Sequence, residues 1–240
     1  MKKFLVASAA LTALIVGGVA NAADIPARML VKAPVVVAPI YNWSGFYVGI
    51  EGGGGWGRSQ HFTSAVPIDF SGTFNVNGGL IGGTAGYNWQ TGAFVLGVEG
   101  DFSYTSIKGS TRGIQAPFCP DGTALANCTT SLRNFGTARA RVGYAWDRYL
   151  PYVTGGLAFG QIYGASDPGD VNSGTKTKAG WTIGAGIEAA LSRNWSAKIE
   201  YLYADFGTVN GLFNRNPGVF PFDVKLNADI VRAGLNYRFN

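Results

Sequence analysis

Apolar and polar residues alternate along the end of the chain, from Lys225 to Phe239. One face of this alternation is apolar, and the other is mostly polar or glycine. A period of two residues is typical of a β-strand. The aromatic residues Tyr237 and Phe239 lie where little sequence remains to cover them, and lipid is the alternative cover for such a face. The pattern therefore predicts a strand with one face in a membrane.

Further stretches upstream alternate in the same way, each with an apolar face and a polar or glycine-rich face. In the stretch at 150–163 the register is the least certain, and Val153, Leu157 and Phe159 make the better apolar face. We predict eight strands in all, at about 44–56, 80–89, 94–104, 132–146, 150–163, 178–191, from 195 onward, and at 225–239.

The connections between the predicted strands alternate in length. Outer-membrane barrels have short periplasmic turns and longer outer loops. We therefore expect an all-β fold, an eight-stranded antiparallel up-and-down transmembrane β-barrel with both termini in the periplasm. The short connections are 90–92, 147–148 and 192–194, and the long polar ones are 58–79, 105–131, 164–177 and 207–224.

The second face of the predicted strands carries ionisable residues. A slip of register by one residue would turn them toward lipid, where each Arg or Lys at the midplane costs roughly 2–4 kcal/mol. We therefore expect these side chains to point inward and to fill the narrow interior with ion pairs, because an eight-stranded barrel has room for little else. They are Glu51, Glu99, Asp101, Arg139, Arg141, Lys178, Glu188, Lys198, Glu200, Arg232 and Arg238.

Two polar residues, Asn134 and Asp229, break the outward apolar pattern near the outer ends of their strands, where the cost is small. Tryptophans also fall near the strand ends, as in the aromatic girdles of membrane barrels. The sequence predicts Trp43, Trp89, Trp146 and Trp195 at the periplasmic rim, and Trp56 and Trp181 at the outer rim.

The start of the chain has the pattern of an export signal. Lys2 and Lys3 precede an apolar run that ends at the A-x-A site Ala20-Asn21-Ala22. A single membrane anchor is the alternative. We predict a signal peptide at 1–22, an extended Pro-containing periplasmic segment at 23–42, and the barrel domain at 43–240.

Composition limits the alternatives. Only 14% of the residues are charged and 47% are hydrophobic, whereas roughly a quarter of the residues in a soluble domain are charged. A soluble β-sandwich nevertheless remains an alternative. The net charge of +5 is spread along the chain rather than clustered, which argues against a nucleic-acid partner.

Few residues offer site chemistry. The glycines Gly52, Gly54 and Gly57 match a dinucleotide-binding spacing, but they lie inside an alternating strand instead of between a strand and a helix. The single histidine, His61, falls in a predicted loop, where we expect it to be solvated. One His and two Cys cannot assemble an ordinary zinc or copper site, and we predict no cofactor.

The two cysteines, Cys119 and Cys128, both fall in the second long connection. In an oxidising exported compartment we expect them to form a disulfide bond that closes this loop. A reactive thiol pair is the alternative. The inward Glu and Arg residues also suggest acid–base chemistry, but an alternating strand places them in the barrel interior, where packing explains them better.

Three segments carry a family resemblance: residues 41–49 (YNWSGFYVG), 150–156 (LPYVTGG) and 234–239 (GLNYRF). The chain resembles the small outer-membrane β-barrel proteins common in alphaproteobacteria, which are related to opacity-type proteins and to the OmpA membrane domain. The resemblance implies insertion by the barrel-assembly machinery with periplasmic chaperones, an assembly signal at Tyr237 and Phe239, and contact with outer-membrane lipids and lipopolysaccharide. Here Asn240 follows the terminal aromatic.

Three functions fit these observations. The first is a structural, surface-exposed barrel that supports the cell envelope, the second a small-solute porin, and the third an outer-membrane enzyme. The first is favoured because eight strands leave too little space for an aqueous channel. Loop aromatics and bases are candidates for an adhesive or ligand-binding surface: Phe62, Arg112, Phe118, Phe213, Arg215, Phe220 and Phe222.

Overall fold

The computed structural model describes residues 41–63, 70–112, 127–166, 173–214 and 221–239. Their strands form one closed antiparallel barrel in which each strand pairs with the next and β8 pairs with β1. This confirms the predicted fold. None of the described residues forms a helix long and apolar enough to cross a membrane. The strands are β1 Gly45–Thr63, β2 Phe70–Thr91, β3 Phe94–Arg112, β4 Asn127–Tyr144, β5 Tyr149–Ser166, β6 Ser173–Ala190, β7 Trp195–Asn214 and β8 Pro221–Phe239.

The barrel has two distinguishable ends. The short connections lie at one end, together with the start of β1 and the end of β8, and we call this the turn end. Asp147, in the turn between β4 and β5, has a left-handed backbone with φ of 51°. The opposite end carries the connections 64–69, 113–126, 167–172 and 215–220, which lie outside the described residues, and we call it the loop end.

The prediction of long loops was wrong in extent, because the strands continue well into all four segments. On six of the eight strands, β2 to β5, β7 and β8, apolar residues toward the loop end are buried in the interior. In β2, Ile81 is exposed on the outer wall near the middle of the barrel, whereas Phe74, Val76 and Leu80 toward the loop end are buried inside. This reversal is expected where a strand leaves lipid and enters water, because the apolar side must then face the interior. The barrel therefore extends beyond the bilayer at its loop end.

The outward apolar band has the length of a membrane span. On β3 it runs from Phe94 to Tyr104, and both residues are exposed, as are Leu96, Val98 and Phe102 between them. A transmembrane strand needs about 9–11 residues. On β5, Val153, Leu157 and Phe159 are exposed, which confirms the predicted register of that strand.

The interior is filled in three layers. At the turn end, Trp43, Val95, Leu150 and Ala190 form an apolar plug. Charged side chains occupy the middle. Toward the loop end lies a larger apolar core, which contains Phe74, Val76, Leu80, Ile107, Leu132, Phe135, Ile162, Leu202, Phe206, Leu226 and Ile230 among others.

Inward glycines allow the wall to close. A Cβ added at Gly53 or Gly57 would lie 2.1 Å from the carbonyl oxygen of Val231 or Asn227 on β8. Both glycines belong to β1, which continues as a strand through Thr63. The spacing of Gly52, Gly54 and Gly57 therefore reflects the barrel wall and not a nucleotide-binding turn.

Candidate functional site: the barrel interior

The centre of the interior is an ion-pair network that crosses the barrel. Arg139, on β4, contacts three carboxylates from β3 and β7: its Nη2 lies 2.5 Å from Glu99 Oε1 and 3.1 Å from Asp101 Oδ2, and its Nη1 lies 2.9 Å from Glu200 Oε2. All of these side chains are almost completely buried. In the closed strand order β3 and β7 lie on opposite walls, so Arg139 connects the two sides of the barrel.

Arg232, on β8, enters the same cluster from the wall opposite β4. Its Nη1 lies 3.0 Å from Asp101 Oδ1, its Nη2 lies 2.8 Å from Glu200 Oε1, and it also pairs with Glu51. Lys198 Nζ completes the layer at 3.3 Å from Glu51 Oε2 and 3.1 Å from Glu99 Oε1. Buried charges are tolerated when each is paired and hydrogen-bonded, as these are.

A second group lies closer to the turn end. Arg141 Nη2 contacts Glu188 Oε2 at 2.7 Å, and its Nη1 lies 3.4 Å from Glu99 Oε2, which connects this group to the central cluster. Glu188 Oε1 also accepts hydrogen bonds from Ser196 Oγ at 2.5 Å and Asn236 Nδ2 at 3.1 Å. The carboxylate of Glu188 is therefore fully engaged.

Several hydroxyl groups belong to the network although the sequence did not single them out. Tyr47 donates to Glu99 Oε2 at 2.7 Å, Tyr152 donates to Glu200 Oε2 at 3.1 Å, and Thr137 donates to Asp101. The Arg141 guanidinium carbon also lies 4.1 Å from the centre of the Tyr152 ring. Each occupies a buried, inward position on its strand, and that alternation is the signal that could have identified them.

Two residues predicted for this network lie apart from it. Lys178, toward the loop end of β6, is partly exposed and forms no ion pair with the residues that the structure describes. Arg238 is buried, but at the turn end, where it donates to the carbonyl oxygen of Asn42 at 2.8 Å and lies 4.9 Å from the Trp43 ring. Both were predicted from strand parity, which gives a side chain's direction but not its level along the barrel axis.

The prediction for Trp43 was wrong. Its side chain is fully buried inside the turn end instead of facing outward at the periplasmic rim, because the chain enters the barrel mouth just before β1. There its backbone N–H donates to Gln90 Oε1 at 2.7 Å. The other predicted girdle residues, Trp56, Trp89, Trp146, Trp181 and Trp195, are 48–73% exposed on the outer wall. Their contact with the membrane surfaces stays a prediction.

The expectation of a solvated loop histidine was also wrong. His61 lies on β1, is buried, and its Nε2 lies 2.7 Å from Thr130 Oγ1 on β4. Ser59 Oγ lies 2.8 Å from the same hydroxyl. These side chains cross the interior close to the apolar core, because β1 continues past the predicted loop boundary.

The cysteines and the loop surface are described only in part. Cys128 is buried on β4 and is not a free thiol, but Cys119 lies outside the described residues, so their pairing stays a prediction. Most of the predicted loop aromatics and bases also lie outside the residues whose side chains are described. Within the described residues no group of three or more His, Cys, Asp or Glu side chains is placed to hold a metal ion.

The polar residues that break the outward pattern have partners on the wall. Asn134 Nδ2 donates to Gln161 Oε1 at 2.9 Å, and Asp229 Oδ1 accepts from the Tyr201 hydroxyl at 2.5 Å. Pairing lowers the cost of a polar group near lipid.

Comparisons with known proteins give the same assignment. The sequence model for the outer membrane protein beta-barrel domain matches residues 9–239. The chain is 42% identical to a 31 kDa outer-membrane immunogenic protein of Brucella melitensis, over 84% of this chain and 87% of the relative. It is 35% identical to a 25 kDa outer-membrane immunogenic protein of Brucella abortus, over 100% and 99% of the two chains.

Among solved structures, the outer membrane protein OprG from Pseudomonas aeruginosa aligns with a TM-score of 0.51 at 13% identity, covering 82% of this chain and 97% of OprG. This likeness concerns the fold alone. Three observations indicate the same family: the closed barrel, the family match over nearly the whole sequence, and the two relatives. The chain belongs to the outer membrane protein beta-barrel domain family, and it is an outer-membrane protein.

Proposed function

We propose that this protein is a structural, surface-exposed and non-conducting barrel of the outer membrane, without a catalytic role. One observation carries the proposal. Arg139 and Arg232 extend from opposite walls and meet at the shared carboxylates of Asp101 and Glu200, so the charged groups occupy the centre of the interior. An aqueous channel would require these groups to stand apart.

The apolar layers on both sides support the same conclusion. Trp43 and Leu150 fill the turn end, and Phe135 and Phe206, with ring centres 6.3 Å apart, lie in the core toward the loop end. A solute would have to displace both apolar layers and break the ion pairs between them. An interior of eight strands that is filled by side chains is the usual case for a barrel of this size.

Planar-bilayer recordings on the refolded mature protein test the proposal against a small-solute porin. We expect no steady openings in the native barrel. A double variant, Arg139→Ala with Arg232→Ala, removes the two arginine side chains from the centre of the interior. Its recordings provide the comparison for the native barrel. Steady openings of the native protein that resemble those of a porin would overturn the proposal.

We further propose that the turn end and both termini face the periplasm, and that the loop end faces the outside. Short turns at one end and longer connections at the other support this orientation. The loops would then be available for adhesion or ligand contact. Insertion of an epitope tag between residues 167 and 172 tests the orientation, because antibody should bind intact cells; labelling only after the outer membrane is permeabilised would refute it.

A further inference from the structure

A polar recess of about 450 Å³ lies on the outer wall of the barrel, where the apolar band ends toward the loop end. Trp56 on β1 is one of the residues that line it and is 50% exposed. In the strand register Trp56 is paired with Asn77 on β2 and Asp229 on β8. One rung closer to the loop end, Arg58 is paired with Asn75 and Asn227. These six outward side chains form two adjacent polar rungs across three strands.

The chemistry of these rungs suits a phosphorylated sugar. The exposed indole of Trp56 offers a flat apolar surface. Arg58 is exposed and carries the guanidinium fork that matches a phosphate group. The Asn75 and Asn77 amides can donate to and accept from hydroxyl groups, and Asp229 accepts only. A carboxylate in the recess favours a ligand with hydroxyl or amine donors over a bare phosphate ion.

Below the recess, toward the turn end, the same strands form an apolar concavity of about 640 Å³. Its wall includes Ile50 and Gly52 on β1, Ile81 on β2, and Ala233 and Leu235 on β8. The six steps from Ile50 to Trp56 along β1 span about 20 Å at the usual rise per residue of a strand. The surface is thus polar at the membrane boundary and apolar for a distance comparable to an acyl chain.

Glycine keeps the path between the two depressions open. Gly54 faces outward between Gly52 and Trp56, and a Cβ added there would meet only the carbonyl oxygen of Gly78, at 3.7 Å. Packing of the wall therefore does not require glycine at this position, in contrast to the inward Gly53. The missing side chain leaves space that a ligand chain can occupy.

We propose that this surface binds a phosphorylated glycolipid of the outer leaflet. Its sugar-phosphate head lies at Trp56 and Arg58, and one acyl chain follows the wall past Gly54 to Ile50. The inference rests on the orientation proposed above, because only then does the recess meet the outer leaflet. The Arg58 guanidinium provides a contact for a phosphate group, the Asp229 carboxylate and the Asn amides provide partners for sugar hydroxyl groups, and the continuity of polar recess and apolar wall favours an amphiphile.

Native mass spectrometry on the full mature barrel in detergent tests the site, with diphosphorylated lipid A as the probe. Dephosphorylated lipid A and phosphatidylglycerol are the comparison lipids. We expect Arg58→Gln to weaken binding of the phosphorylated probe about tenfold, the usual scale for a charge-assisted contact, with little effect on the dephosphorylated one. Gly54→Leu should weaken both, because it blocks the chain path.

Two variants serve as matched controls. Arg133→Gln removes an exposed cation on β4, on the other side of the barrel, and Gly100→Leu fills an outward glycine on β3 whose added Cβ would meet only a carbonyl oxygen at 3.7 Å. Both should bind lipid A as the native protein does. Heat-modifiable migration on a denaturing gel checks that each variant is folded.

Equal weakening by Arg58→Gln and Arg133→Gln would overturn the site, since it would indicate general charge attraction. Binding of phosphatidylglycerol as tight as that of lipid A would do the same. The test in detergent does not depend on orientation. Lipid A binding at Trp56 and Arg58, combined with epitope labelling from the periplasmic side, would therefore refute the orientation and leave the binding surface intact.

Discussion

Arg139 and Arg232 approach the carboxylate of Asp101 from opposite walls of the barrel, at 3.1 and 3.0 Å. Both also contact Glu200, at 2.9 and 2.8 Å. Two cations of like charge are held close together by the two carboxylates between them. Ion pairs thus connect opposite walls across the interior, in addition to the strand pairing around the circumference.

This relationship predicts a large loss of stability for Arg232→Met. The substitution leaves Glu51, Asp101 and Glu200 each without one of their ion-pair partners in a buried site. Removing one member of a buried ion pair typically costs about 3–5 kcal/mol. Urea unfolding in lipid vesicles measures the change in the free energy of unfolding.

The control is Arg133→Met on the outer wall. Arg133 is exposed, and its guanidinium carbon lies 4.3 Å from the centre of the Tyr163 ring. An exposed interaction of this kind is worth about 1 kcal/mol or less. If Arg232→Met and Arg133→Met lowered the free energy of unfolding by similar amounts, the central network would not be what stabilises the barrel.

The inward position of Trp43 gives a second prediction. Because its side chain fills the turn end beside Leu150, Trp43→Ala should lower the free energy of unfolding by about 3–5 kcal/mol. Trp146→Ala, at a 73% exposed position on the outer wall, should cost clearly less. The same unfolding assay applies, and a larger effect at Trp146 would contradict the burial of Trp43.

The neighbouring glycines Gly53 and Gly54 on β1 give a third prediction, because alanine should have different effects at the two positions. A Cβ at Gly53 would lie 2.1 Å from the Val231 carbonyl oxygen and 2.6 Å from Arg232 Cα, both of which are backbone atoms, so Gly53→Ala must displace β8. At Gly54 the added Cβ meets only the Gly78 carbonyl oxygen, at an ordinary contact distance of 3.7 Å, so Gly54→Ala should stay within about 0.5 kcal/mol of the native protein. Folding yield, measured by heat-modifiable migration, should fall only for Gly53→Ala.

The barrel, and the side of each strand that faces outward, could be predicted from the sequence because every strand that crosses lipid must turn its apolar side outward. Ile81 and Val153 on the outside, and Glu99 and Arg139 on the inside, follow directly from alternation. The rule fails beyond the membrane. Phe74 and Val76 also alternate with polar residues, but with the apolar side reversed, so the same rule predicts a loop for this stretch of β2.

The same boundary explains the error at His61, which lies on β1 beyond the apolar band. Trp43 was misplaced for a different reason, because it precedes the first strand and alternation does not determine its side. Specific partners within the network, such as Tyr47 with Glu99, depend on the level of each side chain along the barrel axis. That level follows from the stagger between strands, which no single strand reveals.

The reversal of sides also predicts how β4 responds to a new charge. Ala140 faces outward within the apolar band, Ser131 faces outward near the loop end, and Leu132 is buried in the interior. Ala140→Arg should cost about 2–4 kcal/mol, and Ser131→Arg about 0–1 kcal/mol, because the cost of arginine falls toward the membrane surface.

Leu132→Arg should be the most harmful of the three, since it places an unpaired charge in the apolar core. The three unfolding free energies in vesicles then locate the boundary directly. If Ser131→Arg cost as much as Ala140→Arg, lipid would reach the outer wall at Ser131. If Leu132→Arg were tolerated as well as Ser131→Arg, the interior toward the loop end would hold water in place of a packed core.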